Sequence, residues 1–169
     1  MVLDGVDLDN LLRLLAATLI GMAVGTDRDL KGKPGGMRTL GPVCMGATLV
    51  SLTALQVGEL NQHPDATSRV VQGVLQGVLT GVGFIGAGVV LRSEADGHEA
   101  HRLTTAATVW ATAVLGIACA LASWNLILLG LVFTVVLLVV ANPLERIVER
   151  LAARRAASRN EEAGPDADR

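Results

Sequence analysis

Polar residues in this chain do not alternate with apolar ones; they gather in short breaks between long, almost uncharged runs. Five runs stand out, at about 8–25, 39–57, 70–91, 103–122 and 124–141. Each is close to the ~20 residues with which a helix, rising 1.5 Å per residue, crosses a hydrocarbon layer about 30 Å thick. A soluble amphipathic bundle would carry charges down one face of every helix, and these runs do not. The breaks are punctuated as helix ends are, by Lys33-Pro34-Gly35-Gly36, His63-Pro64-Asp65 and Asn142-Pro143. At Ser123-Trp124-Asn125 the break is so tight that the two flanking helices either turn at the interface or pack as a pair without fully emerging. The expected fold class is all-α: a polytopic membrane bundle of five transmembrane helices. It divides into a transmembrane domain 1–142, a juxtamembrane amphipathic helix 143–158 and a disordered tail 159–169.

Basic residues orient the bundle, because cytoplasmic connections accumulate Lys and Arg. Arg28, Lys31, Lys33 and Arg38 flank the first connection, Arg92 and Arg102 the third, and Arg146, Arg150, Arg154, Arg155 and Arg159 follow the last run. The N-terminus carries Asp4, Asp7 and Asp9, and the second connection sets Arg69 beside Glu59 and Asp65. This pattern predicts N-out and C-in. After Pro143, Leu144, Ile147, Val148 and Leu151 form one helical stripe and Arg146, Arg150 and Arg154 another. Such a helix rests on anionic lipid headgroups, at about 1 kcal/mol per basic side chain near the surface.

Composition agrees: 51% of the 169 residues are hydrophobic and only 18% charged, with mean hydropathy +0.50. A net charge of −2 leaves no electrostatic footprint for nucleic acid. Cys44 and Cys119 both fall inside apolar runs, where small apolar packing is their expected role. The opening MVLDGVDLDN is acidic where a signal peptide needs a basic segment, so the first helix is expected to remain uncleaved. No Ser/His/Asp or Cys/His arrangement has a catalytic placement, so neither an enzyme nor a cofactor is expected.

Gly81, Gly83, Gly86 and Gly88, in GVLTGVGFIGAGVVLR, match the G-x-G-x-x-G of a dinucleotide loop. That motif needs a strand before it and a helix opening at the glycines. Here an uncharged run of membrane length surrounds it, so packing is the better reading. Gly73, Gly77 and Gly81 recur every fourth residue and Gly88 extends their ridge. Ridges of this kind let membrane helices approach closely, which predicts that the third run is the centre of the bundle.

Three segments, RDLKGKPGGMRT at 28–39, GVGFIGAGVVLR at 81–92 and LTTAATVWATAVLGIACA at 103–120, resemble in order and spacing the signature segments of the MgtC/SapB family of bacterial inner-membrane proteins. The resemblance covers roughly 11–142. It implies a multi-pass inner-membrane protein linked to growth at low magnesium and, in pathogens, to survival inside macrophages. It also implies a membrane-protein partner such as the proton-translocating ATP synthase or a transporter, with a homo-oligomer as a further arrangement. Many relatives carry a C-terminal domain resembling an ACT ligand-binding module, whereas here the chain ends soon after Asn142, as a short member would. The family usually has Gly where Arg102 stands before LTTAA.

Arg13, inside the first run, stands four residues after Asp9 in ion-pair spacing, with Glu59 the alternative partner across the bundle. Thr104, Thr108 and Thr112 make a stripe on the fourth run, with Thr105 beside it and Trp110 near mid-depth. These hydroxyls serve either as packing glue or as a docking groove for a partner's helix. With Arg28, Arg38 and Thr39 they compose the expected partner face. Asp27, Asp29, Glu94, Asp96 and Glu99 could offer oxygen ligands to Mg²⁺, against which neighbouring Arg28, Lys31 and Arg102 favour ordinary solvated ion pairs. The reading that results is a non-enzymatic regulator; the alternative is a small oligomeric transporter or channel for Mg²⁺ or another ion.

Overall fold

Each uncharged run becomes a helix: α1 (Gly5–Leu30), α2 (Met37–Leu60), α3 (Pro64–Leu91), α4 (Glu99–Leu121) and a shorter α5 (Trp124–Val140). The computed structural model describes residues 5–60, 64–91, 99–140 and the side chains within them, except those at 5–7, 58–60, 64, 66 and 99–102. Among the described residues there is no strand. Four helices, over Leu8–Leu30, Met37–Val57, Thr67–Leu91 and Leu103–Leu121, are long and apolar enough to cross a membrane. The all-α membrane bundle is therefore borne out, with α5 apolar but shorter than the other four. The motif glycines 81, 83, 86 and 88 lie in the second half of α3 and far from its N-terminus, where a phosphate cradle would have to be.

Large apolar side chains cover the outside. Leu12, Leu15 and Leu19 of α1, Leu49 and Val50 of α2, and Phe84 and Ile85 of α3 are all exposed. In water so much contiguous apolar surface would drive aggregation; in a bilayer it is the surface that meets acyl chains. The chain is a multi-pass membrane protein.

The chain divides into two compact units, Met1–Leu131 and Val132–Arg169, the division falling within α5. All packing described below belongs to the first unit. Of the second, residues 132–140 continue the helix of α5, and the expected amphipathic helix 143–158 and tail 159–169 lie outside the described residues.

The core sits on α4, not on α3. Within the apolar stretch of each helix, 56% of α4 is buried, 44% of α2 and 28% of α1, but only 6% of α3. Among the described residues, nothing lies within 4 Å of the Cβ positions of Gly73, Gly77, Gly81 and Gly88, so the expected central ridge meets no described neighbour. Gly86, off that ridge, instead faces Ala106 of α4, at 3.4 Å. A four-residue glycine repeat makes one side of a helix thin; it does not say what that side meets.

The close crossings are made by other glycines. A Cβ on Gly21 of α1 would stand against the carbonyl oxygen of Leu40 and 2.9 Å from Gly41 Cα of α2. One on Gly116 of α4 would strike the Cys44 carbonyl of α2, with Ala47 Cβ at 2.9 Å. Backbones this near let polar groups bond across helices: the buried Thr48 hydroxyl lies 2.7 Å from the Gly116 carbonyl and 2.9 Å from that of Cys44, sharing its proton between them. Cys44 and Cys119 are free thiols, fully buried around the same crossing, in keeping with their expected packing role.

Candidate functional site

α1 runs past Gly25, where the first uncharged run stops, through Thr26-Asp27-Arg28-Asp29 to Leu30. Its end is a Schellman cap. The Lys33 N–H donates to the Arg28 carbonyl at 2.9 Å and the Gly32 N–H to that of Asp29 at 3.1 Å, with Gly32 in the left-handed region at φ 61°. The chain then doubles back through Pro34 and Gly35, also left-handed at φ 84°, and α2 starts from Gly36, whose carbonyl accepts from Leu40 at 2.9 Å. Asp29 reaches over from α1 to accept the Met37 N–H at 2.9 Å, placing an anion on the positive end of α2. A side chain at Gly36 would overlap that carboxylate. The segment RDLKGKPGGMRT is thus a tight corner closed by its own backbone hydrogen bonds and by the Asp29 carboxylate.

Inside the corner lies Arg28, only 2% exposed. Its Nε and Nη2 donate to the Pro34 carbonyl at 2.9 and 2.6 Å, and across the bundle Nη2 donates to Thr105 Oγ1 at 2.5 Å and Nη1 to Thr108 Oγ1 at 3.2 Å. The Thr108 hydroxyl passes its own proton to the Thr104 carbonyl at 2.7 Å, and Thr112 does the same to the Thr108 carbonyl at 2.8 Å. A guanidinium has five N–H donors and no acceptor, so oxygens must surround it when it is buried. The corner supplies a carbonyl and α4 supplies hydroxyls.

This corrects two expectations. Arg28 is not a solvated connection cation; it ties the α1–α2 corner to α4. Thr105, Thr108 and Thr112 are buried, so the stripe runs through Thr105 rather than Thr104 and faces Arg28, not a partner's helix. Trp110, Arg38 and Thr39 do lie at the surface. Among the carboxylates, Asp27 pairs with Lys31 at 2.7 Å and Asp29 is engaged by Met37. The described residues contain no group of three metal-ligating side chains; Glu94, Asp96 and the side chain of Glu99 lie outside them.

A second arginine holds the opposite end of α4. Arg13 Nε pairs with Asp9 at 2.6 Å, as its spacing suggested, while Nη1 donates to the Cys119 carbonyl at 2.7 Å and approaches those of Ala120 and Ala122 at 3.4 Å. These are the carbonyls a helix C-terminus leaves unpaired, and a cation there also suits the helix dipole. The guanidinium lies 5.5 Å from the ring centre of Trp124, which opens α5. The alternative partner Glu59 has a side chain outside those described. Arg13 and Arg28 are 15 residues apart on α1, about 22 Å, and their partners on α4 are similarly spaced, so α1 clasps an antiparallel α4 at both ends.

Among the described residues the arrangement shows no nucleophile–base pair; what it does is tie α1, its corner with α2, and α4 together, and leave α3 the least buried of the four membrane-length helices. The model of the MgtC family matches residues 14–147. Protein SrpB of Synechococcus elongatus is 38% identical over 140 residues, covering 80% of this chain and 76% of SrpB. Protein SapB of Bacillus subtilis is 37% identical over 116 residues, 67% of this chain and 48% of SapB. Protein MgtC of Salmonella typhimurium is 33% identical over 115 residues, 68% of this chain and 45% of MgtC. The chain thus spans about half the length of these last two relatives. No solved structure matches it.

Proposed function

The chain belongs to the MgtC family, and from that membership we propose that it is a non-enzymatic regulator in the bacterial inner membrane, serving adaptation to low magnesium. It acts by laying one membrane helix against a helix of a larger complex, such as the ATP synthase or a transporter. The observation that carries this reading is the outward face of α3. A helix of membrane length with 6% of its apolar stretch buried carries Gly73, Gly77, Gly81 and Gly88 on a side where no described residue comes within 4 Å of their Cβ positions. Glycine ridges promote close helix contact in lipid, where burial of apolar surface offers no driving force between helices. The Arg28 and Arg13 clasps tie α1 and its corner with α2 to α4.

The test is growth of a deletion strain in limiting magnesium, rescued by the wild-type chain or by Gly77→Leu/Gly81→Leu, with co-purification and mass spectrometry of both. Normal abundance, failed rescue and a partner lost from the variant would support the proposal. Full rescue by the variant would refute it. A second reading, an oligomeric ion path, draws on the open cleft along Gln72, Gln76 and Thr80 of the same helix. Among the described residues that line it there is no carboxylate of the kind a cation route often uses. Mg²⁺ flux into proteoliposomes above protein-free controls would select that reading instead.

A further inference from the structure

On the outer surface between α1 and α2 lies an open apolar groove of roughly 460 Å³. Its lining includes Met22 of α1 and Met37, Arg38, Gly41, Pro42 and Met45 of α2. Gly41 keeps the groove open beside Met22, since a Cβ there would stand 3.2 Å from Met22 Cγ. Pro42, within α2, has no N–H to offer the Arg38 carbonyl four residues back, so a backbone acceptor is left over there. Arg38 stands at the second residue of the Met37–Val57 span, which is headgroup level. The groove reaches from there to Met45, about 10 Å deeper along the helix.

Arg38 is exposed, and the two described carboxylates nearest in sequence are engaged elsewhere, Asp27 by Lys31 and Asp29 by the Met37 N–H. A cation at the membrane surface with no described carboxylate paired to it, heading a groove lined by adaptable thioethers, has the chemistry of a site for an anionic amphiphile. We propose that this groove binds one anionic phospholipid, its phosphate on the Arg38 guanidinium and an acyl chain along Met22 and Met45. A partner helix needs an apolar track several turns long, and this groove offers only about two. The site is independent of the α3 face and of the regulatory reading.

The test is native mass spectrometry of the full chain released from detergent, incubated with phosphatidylglycerol or with phosphatidylcholine of the same acyl chains. Wild type should retain one phosphatidylglycerol per chain with about fivefold preference, the ratio expected from roughly 1 kcal/mol for one basic side chain. Arg38→Gln should erase the preference, Met45→Trp should lower retention of both lipids by filling the groove, and Arg69→Gln should change nothing. Unfolding in detergent, followed in parallel, identifies any variant that is simply misfolded; Arg38→Lys, which keeps the charge, then serves as the folded comparison and should retain most of the preference. Equal retention of the two lipids by wild type, an unchanged preference in folded Arg38→Gln, or displacement of the lipid by inorganic phosphate would each overturn the proposal.

Discussion

Gly116→Ala adds a single methyl group at the crossing of α2 and α4, where the account places the core. The new Cβ would press on the Cys44 carbonyl oxygen and lie 3.0 Å from its carbon and 2.9 Å from Ala47 Cβ. Two of these three atoms are backbone and cannot rotate away, so the helices must separate by about 1 Å to restore ordinary contact near 3.5 Å. Overpacking of this kind costs about 1–3 kcal/mol. Separation also stretches the Thr48 bond to the Gly116 carbonyl, worth about 0.6 kcal/mol on the average for membrane proteins. Against this, alanine gains about 0.5–1 kcal/mol over glycine within a helix, leaving a net loss of about 1–3 kcal/mol. Gly77→Ala meets nothing within 4 Å and keeps the gain without the cost. Equilibrium unfolding by SDS in mixed micelles, read by the fluorescence of Trp110 and Trp124, should therefore place Gly116→Ala below wild type and Gly77→Ala at or slightly above it. Wild-type stability for Gly116→Ala, or an equal loss for both variants, would refute the packing described here.

Thr105→Val/Thr108→Val should be more destabilising than Arg28→Met in the same assay, because the first leaves a buried guanidinium short of acceptors, at about 1–3 kcal/mol or more, whereas the second removes the charge and keeps the volume; the reverse order would show that Arg28 is not held by those hydroxyls. Topology follows from the basic connections: a cysteine at Lys33 or Arg154 should resist a membrane-impermeant thiol reagent in intact cells and one at His63 should react, and labelling at Lys33 would overturn N-out, C-in.

The helices were legible in the sequence because long runs almost free of charge are set off by short polar breaks, most of them marked by Pro or Gly. The site was legible only in pieces. Hydropathy ends the first run at Gly25, since Asp27, Arg28 and Asp29 follow, and so assigns Arg28 to a solvated connection; what buries it is a pair of hydroxyls 77 and 80 residues away, which no local pattern reports. The threonine periodicity was visible, but period says which residues share a face and not what the face meets. The available signal was the pairing of an arginine with a hydroxyl stripe in two of the three signature segments. The glycines mislead in a similar way. The repeat on α3 is long and conspicuous, yet the same four-residue spacing at Gly21 and Gly25 of α1, together with the isolated Gly116, marks the crossings where backbones nearly touch.

Whether α3 offers its open face to another protein is tested most directly by a photoreactive residue placed at Gln76, with one at Leu19 on the exposed side of α1 as the control, irradiated in living cells limited for magnesium. Position 76 should give a discrete adduct, its partner a different membrane protein identifiable by mass spectrometry, and position 19 only diffuse lipid adducts. Lipid adducts alone at position 76, the same protein adducts at both positions, or an adduct solely of twice this chain's mass would contradict docking of α3 against another protein.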